Sequence, residues 1–106
     1  MDRTELLMKL GLKRPEALML GYLIDNPGQV RQKDIVMAGV IMQPYVTIAA
    51  RGLKGLGLIE EIALTIPGKQ GQPKAYVARP IEEIKSKLGY NIQSEYERKM
   101  AALSEF

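Results

Sequence analysis

The chain has 106 residues, of which 46% are hydrophobic and 25% charged, and this composition is that of a single globular domain. It contains no Cys and no His, so disulfides, thiolate nucleophiles, histidine bases and most zinc sites are excluded. The formal net charge of +3 is mildly basic and compatible with nucleic-acid binding. No uncharged run is long enough to span a bilayer and no secretion signal is recognisable. We therefore expect a cytoplasmic protein with no membrane partner.

The positive charge is concentrated in the middle of the chain. Residues 27–79 carry seven Lys or Arg against three acidic residues, a net charge of +4. Residues 1–26 are neutral, and residues 80–106 carry a net charge of −1. This distribution indicates that the central segment is the working surface of the protein.

Apolar residues at helical spacing predict two helices before residue 30. The first runs from Thr4 to Leu10 and ends at Gly11. The second begins near Pro15 and stops at the Asn-Pro-Gly turn of residues 26–28, because Pro and Gly favour a turn. Its predicted buried stripe consists of Leu18, Met19, Tyr22 and Leu23.

Two further helices follow in the basic segment. One spans Arg31 to Met37 or Ala38, with Ile35 and Val36 facing inward and Gly39 in the left-handed position after its end. The other begins at Pro44, and its regular part ends near Gly55. The predicted buried stripe of this fourth helix has i, i+3, i+4, i+7 spacing and consists of Val46, Ala49, Ala50 and Leu53.

The remainder of the chain predicts a hairpin and a last helix. Residues 58–64 and 74–79 alternate in the manner of strands, and residues 67–73 between them are rich in Gly and Pro. Pro80 then begins a helix with Glu82 and Glu83 in its first turn. We expect residues 89–91 to interrupt that helix.

This order of elements predicts an α+β fold, a winged helix-turn-helix with a two-stranded β-wing and a C-terminal helix. In this interpretation residues 1–88 form the DNA-binding domain and residues 89–106 form a helix for dimerisation. A short seam of four apolar residues supports the second assignment, because two turns of helix do not stand alone in water. These residues are Ile92, Tyr96, Met100 and Leu103. Packing of the seam on its own domain remains the alternative.

Three stretches carry family-like motifs. They are Leu-Gly-Leu at residues 10–12 with Glu16-Ala17, Leu-Gly-Leu-Ile at residues 56–59, and Gly-Gln-Pro-Lys-Ala-Tyr-Val-Ala-Arg-Pro at residues 71–80 before Glu82 and Glu83. On these motifs, over about residues 10–88, the chain resembles the TrmB-like winged-helix transcription regulators, which are close to the MarR-like group. These are mostly archaeal DNA-binding repressors or activators. Residues 42–47 depart from the family, because they are uncharged where its recognition helix usually begins with basic residues.

Candidate DNA contacts lie first on the recognition helix, residues 43–55. Its outward face holds Gln43, Tyr45, Thr47, Arg51 and Lys54, whereas Ile48 lies at an ambiguous edge. In the major groove we expect Gln43 to pair with adenine and Thr47 to touch a thymine methyl. Tyr45 contacts base or phosphate, and the two cations lie nearer the phosphates. An ordinary solvated helix face is the alternative.

Further candidate contacts lie outside that helix. The wing, residues 66–74, offers Lys69, Gln70 and Lys74 to the minor groove or the backbone. Arg31 and Gln32 are candidate phosphate contacts at the start of the third helix. For all of these residues a role in solubility alone remains the alternative.

No catalytic arrangement is visible in the sequence. The adjacent acids at 60–61 and 82–83 point to different faces, and no nucleophile is paired with a base. We therefore expect a double-stranded DNA-binding transcription regulator that is homodimeric, is not an enzyme, and holds no cofactor or metal. Two alternatives remain open: an architectural, chromatin-like DNA-binding protein and a winged-helix protein–protein adaptor.

Overall fold

A computed structural model describes residues 2–64, 68 and 73–106. Within these residues the chain forms five helices and three short strands. In chain order they are α1 (Arg3–Lys9), α2 (Arg14–Asp25), β1 (Val30–Arg31), α3 (Gln32–Met37), α4 (Gln43–Gly55), β2 (Ile59–Ala63), β3 (Lys74–Ala78) and α5 (Ile81–Glu105). The four predicted helices before residue 56 and both predicted strands are confirmed, with ends shifted by one or two residues.

The sheet has three strands rather than the predicted two. Its order is β1-β3-β2 and both pairings are antiparallel. β1 adds to the free edge of β3, where Val30 lies opposite Tyr76 and Arg31 opposite Ala75. Arg31 is therefore a strand residue and the N-cap of α3, not part of the predicted helix. The free N–H and C=O groups of an edge strand favour such pairing, and a strand of two residues has no periodicity to reveal it.

The core lies between α2, α4 and the inner face of the sheet. All four predicted stripe residues of α4 are buried. The predicted stripe of α2 is partly wrong, because Ala17 and Leu20 are buried whereas Leu18 and Tyr22 are only half-buried. Apolar residues lie on several sides of α2, so spacing alone did not single out the side that packs against α4.

A glycine allows the close approach of α2 to α4. Glu16, in the first turn of α2, accepts a hydrogen bond from the backbone N–H of Lys13 at 2.9 Å. The Glu16 carboxylate lies against Gly52 of α4, where an added Cβ would collide with it. Gly52 weakens the helix locally, but it makes room for this contact between the two elements.

The turn after α3 fixes the direction in which α4 leaves. Gly39 has a positive φ of 73°, which confirms its predicted left-handed position. The N–H groups of Gly39 and Val40 donate to the carbonyls of Val36 at 3.0 Å and Ile35 at 3.3 Å. This is the Schellman ending, which satisfies the last carbonyls of a helix and reverses the chain within a few residues. α4 begins at Gln43, only four residues after Gly39.

α5 is one continuous helix of 25 residues, so the predicted interruption at residues 89–91 is wrong. A single glycine costs only about 1 kcal/mol in a helix interior, which a long helix tolerates. Gly89 therefore stays helical. Ile84 and Leu88 are the buried residues of α5, and the helix projects beyond them. The radius of gyration, 15.8 Å, accordingly exceeds the roughly 13 Å of a compact chain of this length.

Candidate nucleic-acid interface

The outward face of α4 is exposed along its whole length. Pro44, Thr47, Ile48 and Arg51 follow i, i+3, i+4, i+7 spacing and lie opposite the buried stripe. Ile48, which the sequence left ambiguous, is 61% exposed and belongs to this face. All five residues predicted to face outward on this helix are exposed: Gln43, Tyr45, Thr47, Arg51 and Lys54. Thr47 and Arg51 lie near the centre of this face, and Tyr45 lies on the flank opposite Gln43 and Lys54.

Two candidate cations meet at a carboxylate that sequence reasoning did not single out. The Nζ of Lys54, near the end of α4, is 3.0 Å from Glu61 Oε2, and the Nζ of Lys74 is 3.5 Å from Glu61 Oε1. The hydrogen bond from Lys54 is the main cause that lowers the pKa of Glu61, and the charge of Lys74 adds to it. Glu61 thus stays ionised at neutral pH and joins α4 to the hairpin.

The strand register explains how Lys74 reaches Glu61. Ala63 of β2 lies opposite Lys74 of β3, so Glu61 is a diagonal neighbour two residues along the same face. A period-2 pattern with a known register would have revealed this pair. The register could not be read from the sequence, because the long connection between the strands leaves it undefined.

Other cations near α4 have no carboxylate partner in the part of the chain that the structure describes. No carboxylate oxygen there lies within 4 Å of Arg31, Lys33 or Arg51. Arg31 and Lys33 are exposed at the start of α3, whereas Gln32 between them is half-buried. Their charges are available to an external anion such as phosphate.

Arg79, by contrast, is neutralised within the protein. Its guanidinium bonds both Glu83, at 2.9 Å, and Glu60. The hydrogen bonds with Glu83 are the main cause that raises the pKa of Arg79, and they lower the pKa of Glu83. Arg79 therefore ties β3 to the first turn of α5 and contributes little net charge to the surface.

Two predicted contacts, Lys69 and Gln70, lie outside the described residues, as does most of the predicted wing tip. Lys74 is the predicted wing contact that the structure describes, and it is exposed at the start of β3. The pairing of Arg31 with Ala75 brings Arg31 to the strand position next to Lys74. The start of α3 and the hairpin are thus neighbours in the sheet.

The four predicted dimerisation residues form an uncovered row on the projecting half of α5. Their exposed fractions range from 45% to 66%, for Ile92, Tyr96, Met100 and Leu103. The row follows the buried positions Ile84 and Leu88 at intervals of four residues, with a last interval of three before Leu103. Leu6 on α1 and Leu10, the C-cap of α1, are also exposed. An apolar row that begins one turn after Leu88 and turns gradually around the helix is therefore left without cover from the described part of the chain.

Two further observations concern metals and membranes. Among residues 2–64, 68 and 73–106 no three acidic side chains are grouped so that they could hold a metal ion. Within the same residues, no helix has both the length and the apolar character needed to cross a membrane.

Comparisons with known proteins find a similar fold but no similar sequence. No family model matches the sequence, and no curated protein matches it. A solved structure from Methanosarcina mazei Go1, described as a "Possible transcriptional regulator", superposes with a TM-score of 0.73 over 92% of this chain and 81% of that one. The two sequences are 14% identical, so the similarity shows the fold alone. The chain thus has a mixed helical fold with a small antiparallel sheet, which it shares with a regulator-like protein.

Proposed function

We propose that the chain is a winged helix-turn-helix protein that binds double-stranded DNA and regulates transcription. α3 and α4 form the helix-turn-helix, and β2 with β3 forms the wing. The observation that carries the proposal is the outward face of α4: it is exposed over three turns, and its opposite face is buried in the core. A helix so presented has the diameter that the major groove admits.

The charges around α4 supply the affinity in this proposal. Arg51 on α4 and Arg31 on β1, which have no carboxylate partner in the described residues, contact phosphates and release counterions, and Lys54 does so by exchanging Glu61 for a phosphate. Gln32 adds a phosphate contact beside Arg31. Binding therefore weakens steeply as salt rises. The net charge of +4 between residues 27 and 79 supports this distribution of roles.

Base contacts come from the N-terminal part of α4, because that end of a recognition helix reaches base edges. Gln43 bonds adenine, Thr47 touches a thymine methyl, and Tyr45 contacts base or phosphate. The wing carries Lys69, Gln70 and Lys74 to the minor groove or the adjoining backbone. The similarity in fold to a possible transcriptional regulator supports this class of function.

The protein acts as a homodimer in this proposal. The uncovered row on α5 packs against the same row of a second copy, together with the exposed leucines of α1. Two copies then present two α4 helices about 34 Å apart, one turn of DNA, and favour a palindromic site.

The test is a fluorescence-anisotropy titration of a labelled random-sequence duplex at several salt concentrations. Arg51→Ala is compared with Arg98→Ala, because both arginines are exposed on helices and neither has a carboxylate within 4 Å in the described residues. We expect wild type and Arg98→Ala to bind alike with a steep salt dependence. Arg51→Ala binds more weakly, with a log–log slope shallower by about one.

The proposal fails if wild type does not bind at the lowest salt, or if both variants lose the same affinity. Equal affinity for selected and random duplexes would instead favour an architectural protein with little sequence preference.

A second candidate, a protein–protein adaptor, is favoured by two exposed methionines between α3 and α4. Met37, at the end of α3, is 81% exposed, and Met42, the N-cap of α4, is 69% exposed. Methionine is common on surfaces that bind other proteins. Absence of DNA binding at low salt, together with an Ile48→Ala-sensitive protein partner, would establish the adaptor function.

A further inference from the structure

The outward side of α4 is apolar in its first half, where a base-reading helix often carries charge, and Thr47 and Ile48 supply methyl groups there. In its first half the central outward positions are Pro44, Thr47 and Ile48, and the first cation is Arg51. Ile48 is 61% exposed, although nothing in the described fold requires an isoleucine there. Gln43 is the amide-bearing side chain at the edge of this surface.

Each base presents different groups in the major groove, so proteins recognise each base there by a different kind of contact. Guanine is read most often by Arg or Lys, adenine by Asn or Gln, and thymine by apolar contact with its C5 methyl. The first half of α4 offers no cation for guanine, but it offers methyl groups and one amide. Its chemistry therefore fits A·T pairs better than G·C pairs.

We infer that α4 reads thymine C5 methyl groups through Ile48 and Thr47, and that the DNA it prefers is rich in A·T pairs in the major groove. This inference rests on the proposed function. Gln43 would bond an adenine beside these methyls, and Tyr45 would cover them from the other flank of the helix.

The charges beside the patch favour DNA as its occupant. Arg51 and Lys54 lie one to two turns along the helix from Ile48, and Arg31 and Lys33 lie at the start of the preceding helix. An apolar centre with cations on its border suits a polyanion whose groove floor carries methyl groups. An acidic protein would meet the same border, and the experiment separates the two.

The experiment begins with selection from a random duplex library, and the enriched duplex is then resynthesised with uracil in place of thymine. This change removes the C5 methyl and leaves base pairing and the minor-groove pattern intact. Affinities of both duplexes are measured for wild type, Ile48→Ala and Ile81→Ala. Ile81 is the matched control, since it is an exposed isoleucine at the start of another helix, α5.

We expect A·T-rich sequences to be enriched and wild type to bind the thymine duplex about fourfold more tightly for each methyl that it covers. Ile48→Ala should reduce that ratio towards one, whereas Ile81→Ala should keep it. Because alanine is the best helix former, the Ile48→Ala change is not expected to unfold α4.

Three results would overturn the inference and leave the proposed function standing. They are no enrichment, enrichment of G·C-rich sequences, or equal binding of the thymine and uracil duplexes by a wild type that still shows a steep salt dependence. Absence of binding to every duplex at low salt would overturn both proposals together.

Discussion

Two helices of this protein carry similar apolar rows and have opposite surroundings. In α4 the row is buried, with Val46 and Leu53 at 0% exposure. In the half of α5 beyond Leu88 the row is uncovered in the described residues, and Leu103 is 66% exposed. Helical periodicity thus identifies a face that must be covered, but it does not say whether the same domain or another molecule covers it.

The two helices also differ in how much tertiary packing stabilises them. α4 packs against α2 and the sheet, so burial of its apolar row in the core stabilises the helix. The projecting half of α5 has no such packing, and an isolated helix of that length is marginal in water. A second copy of the chain would give it the apolar contacts that α4 already has.

Stability should change most when a leucine of the buried row, rather than one of the uncovered row, is replaced by alanine. Leu53→Ala should lower the free energy of unfolding by about 2–5 kcal/mol, because it leaves a cavity in the core. Leu103→Ala should cost less than about 1 kcal/mol in the monomer, because that side chain is mostly exposed. Urea unfolding at several protein concentrations checks both values.

The two losses of stability should also differ in how they depend on protein concentration. The loss in Leu53→Ala should be the same at every concentration, whereas the loss in Leu103→Ala should grow as the protein concentration rises and wild type dimerises. Equal losses in the two variants would contradict the distinction between the buried and the uncovered row.

The next effect is on association, and α5 supplies its own control. Tyr96 lies in the row, whereas Tyr90 is 73% exposed and points roughly 120° away around the helix. Tyr96→Asp should raise the dimer dissociation constant at least about tenfold, since it would place an unpaired charge in an apolar contact. Tyr90→Asp should leave it unchanged. Sedimentation equilibrium gives both constants.

A wild type that stays monomeric at tens of micromolar would contradict the proposed dimer. So would a loss of association that is the same for both tyrosine variants.

The packed body was largely predictable because its signals are local. The buried row of α4 follows from the spacing of Val46, Ala49, Ala50 and Leu53, and Gly39 follows from the need for a positive φ after α3. Other features depend on distant partners. β1 forms by pairing with the free edge of β3. Position 52 requires glycine because a Cβ there would collide with the Glu16 carboxylate.

The candidate site was predictable to a similar extent. Once the buried row of α4 is known, the outward positions follow by geometry, and the structure adds Ile48 to them. Glu61 could not be found this way, because its contacts with Lys54 and Lys74 depend on the register of the hairpin. Gly89 predicts an interruption because glycine disfavours a helix locally, but the 24 other residues of α5 keep it continuous.

The smallest expected effect concerns this same Glu61 and compares an ion pair of the body with one on the projecting helix. The pKa of Glu61 is lowered on folding, chiefly by its hydrogen bond from Lys54. Its stabilisation is therefore fully present above the unfolded pKa, near 4.5, and is lost as the pH falls through the folded value. Between about pH 5 and pH 3 the free energy of unfolding should fall less in Glu61→Gln than in wild type. The difference should be under about 1 kcal/mol.

The matched control for this last change is Glu95→Gln, which removes the carboxylate of the exposed Glu95–Lys99 pair, 3.3 Å long, on α5. Thermal unfolding as a function of pH should give a flatter acid limb for Glu61→Gln than for Glu95→Gln. If the two variants gave the same acid limb, Glu61 would be an ordinary surface carboxylate. The link that it makes between α4 and the hairpin would then contribute nothing measurable to the stability of the body.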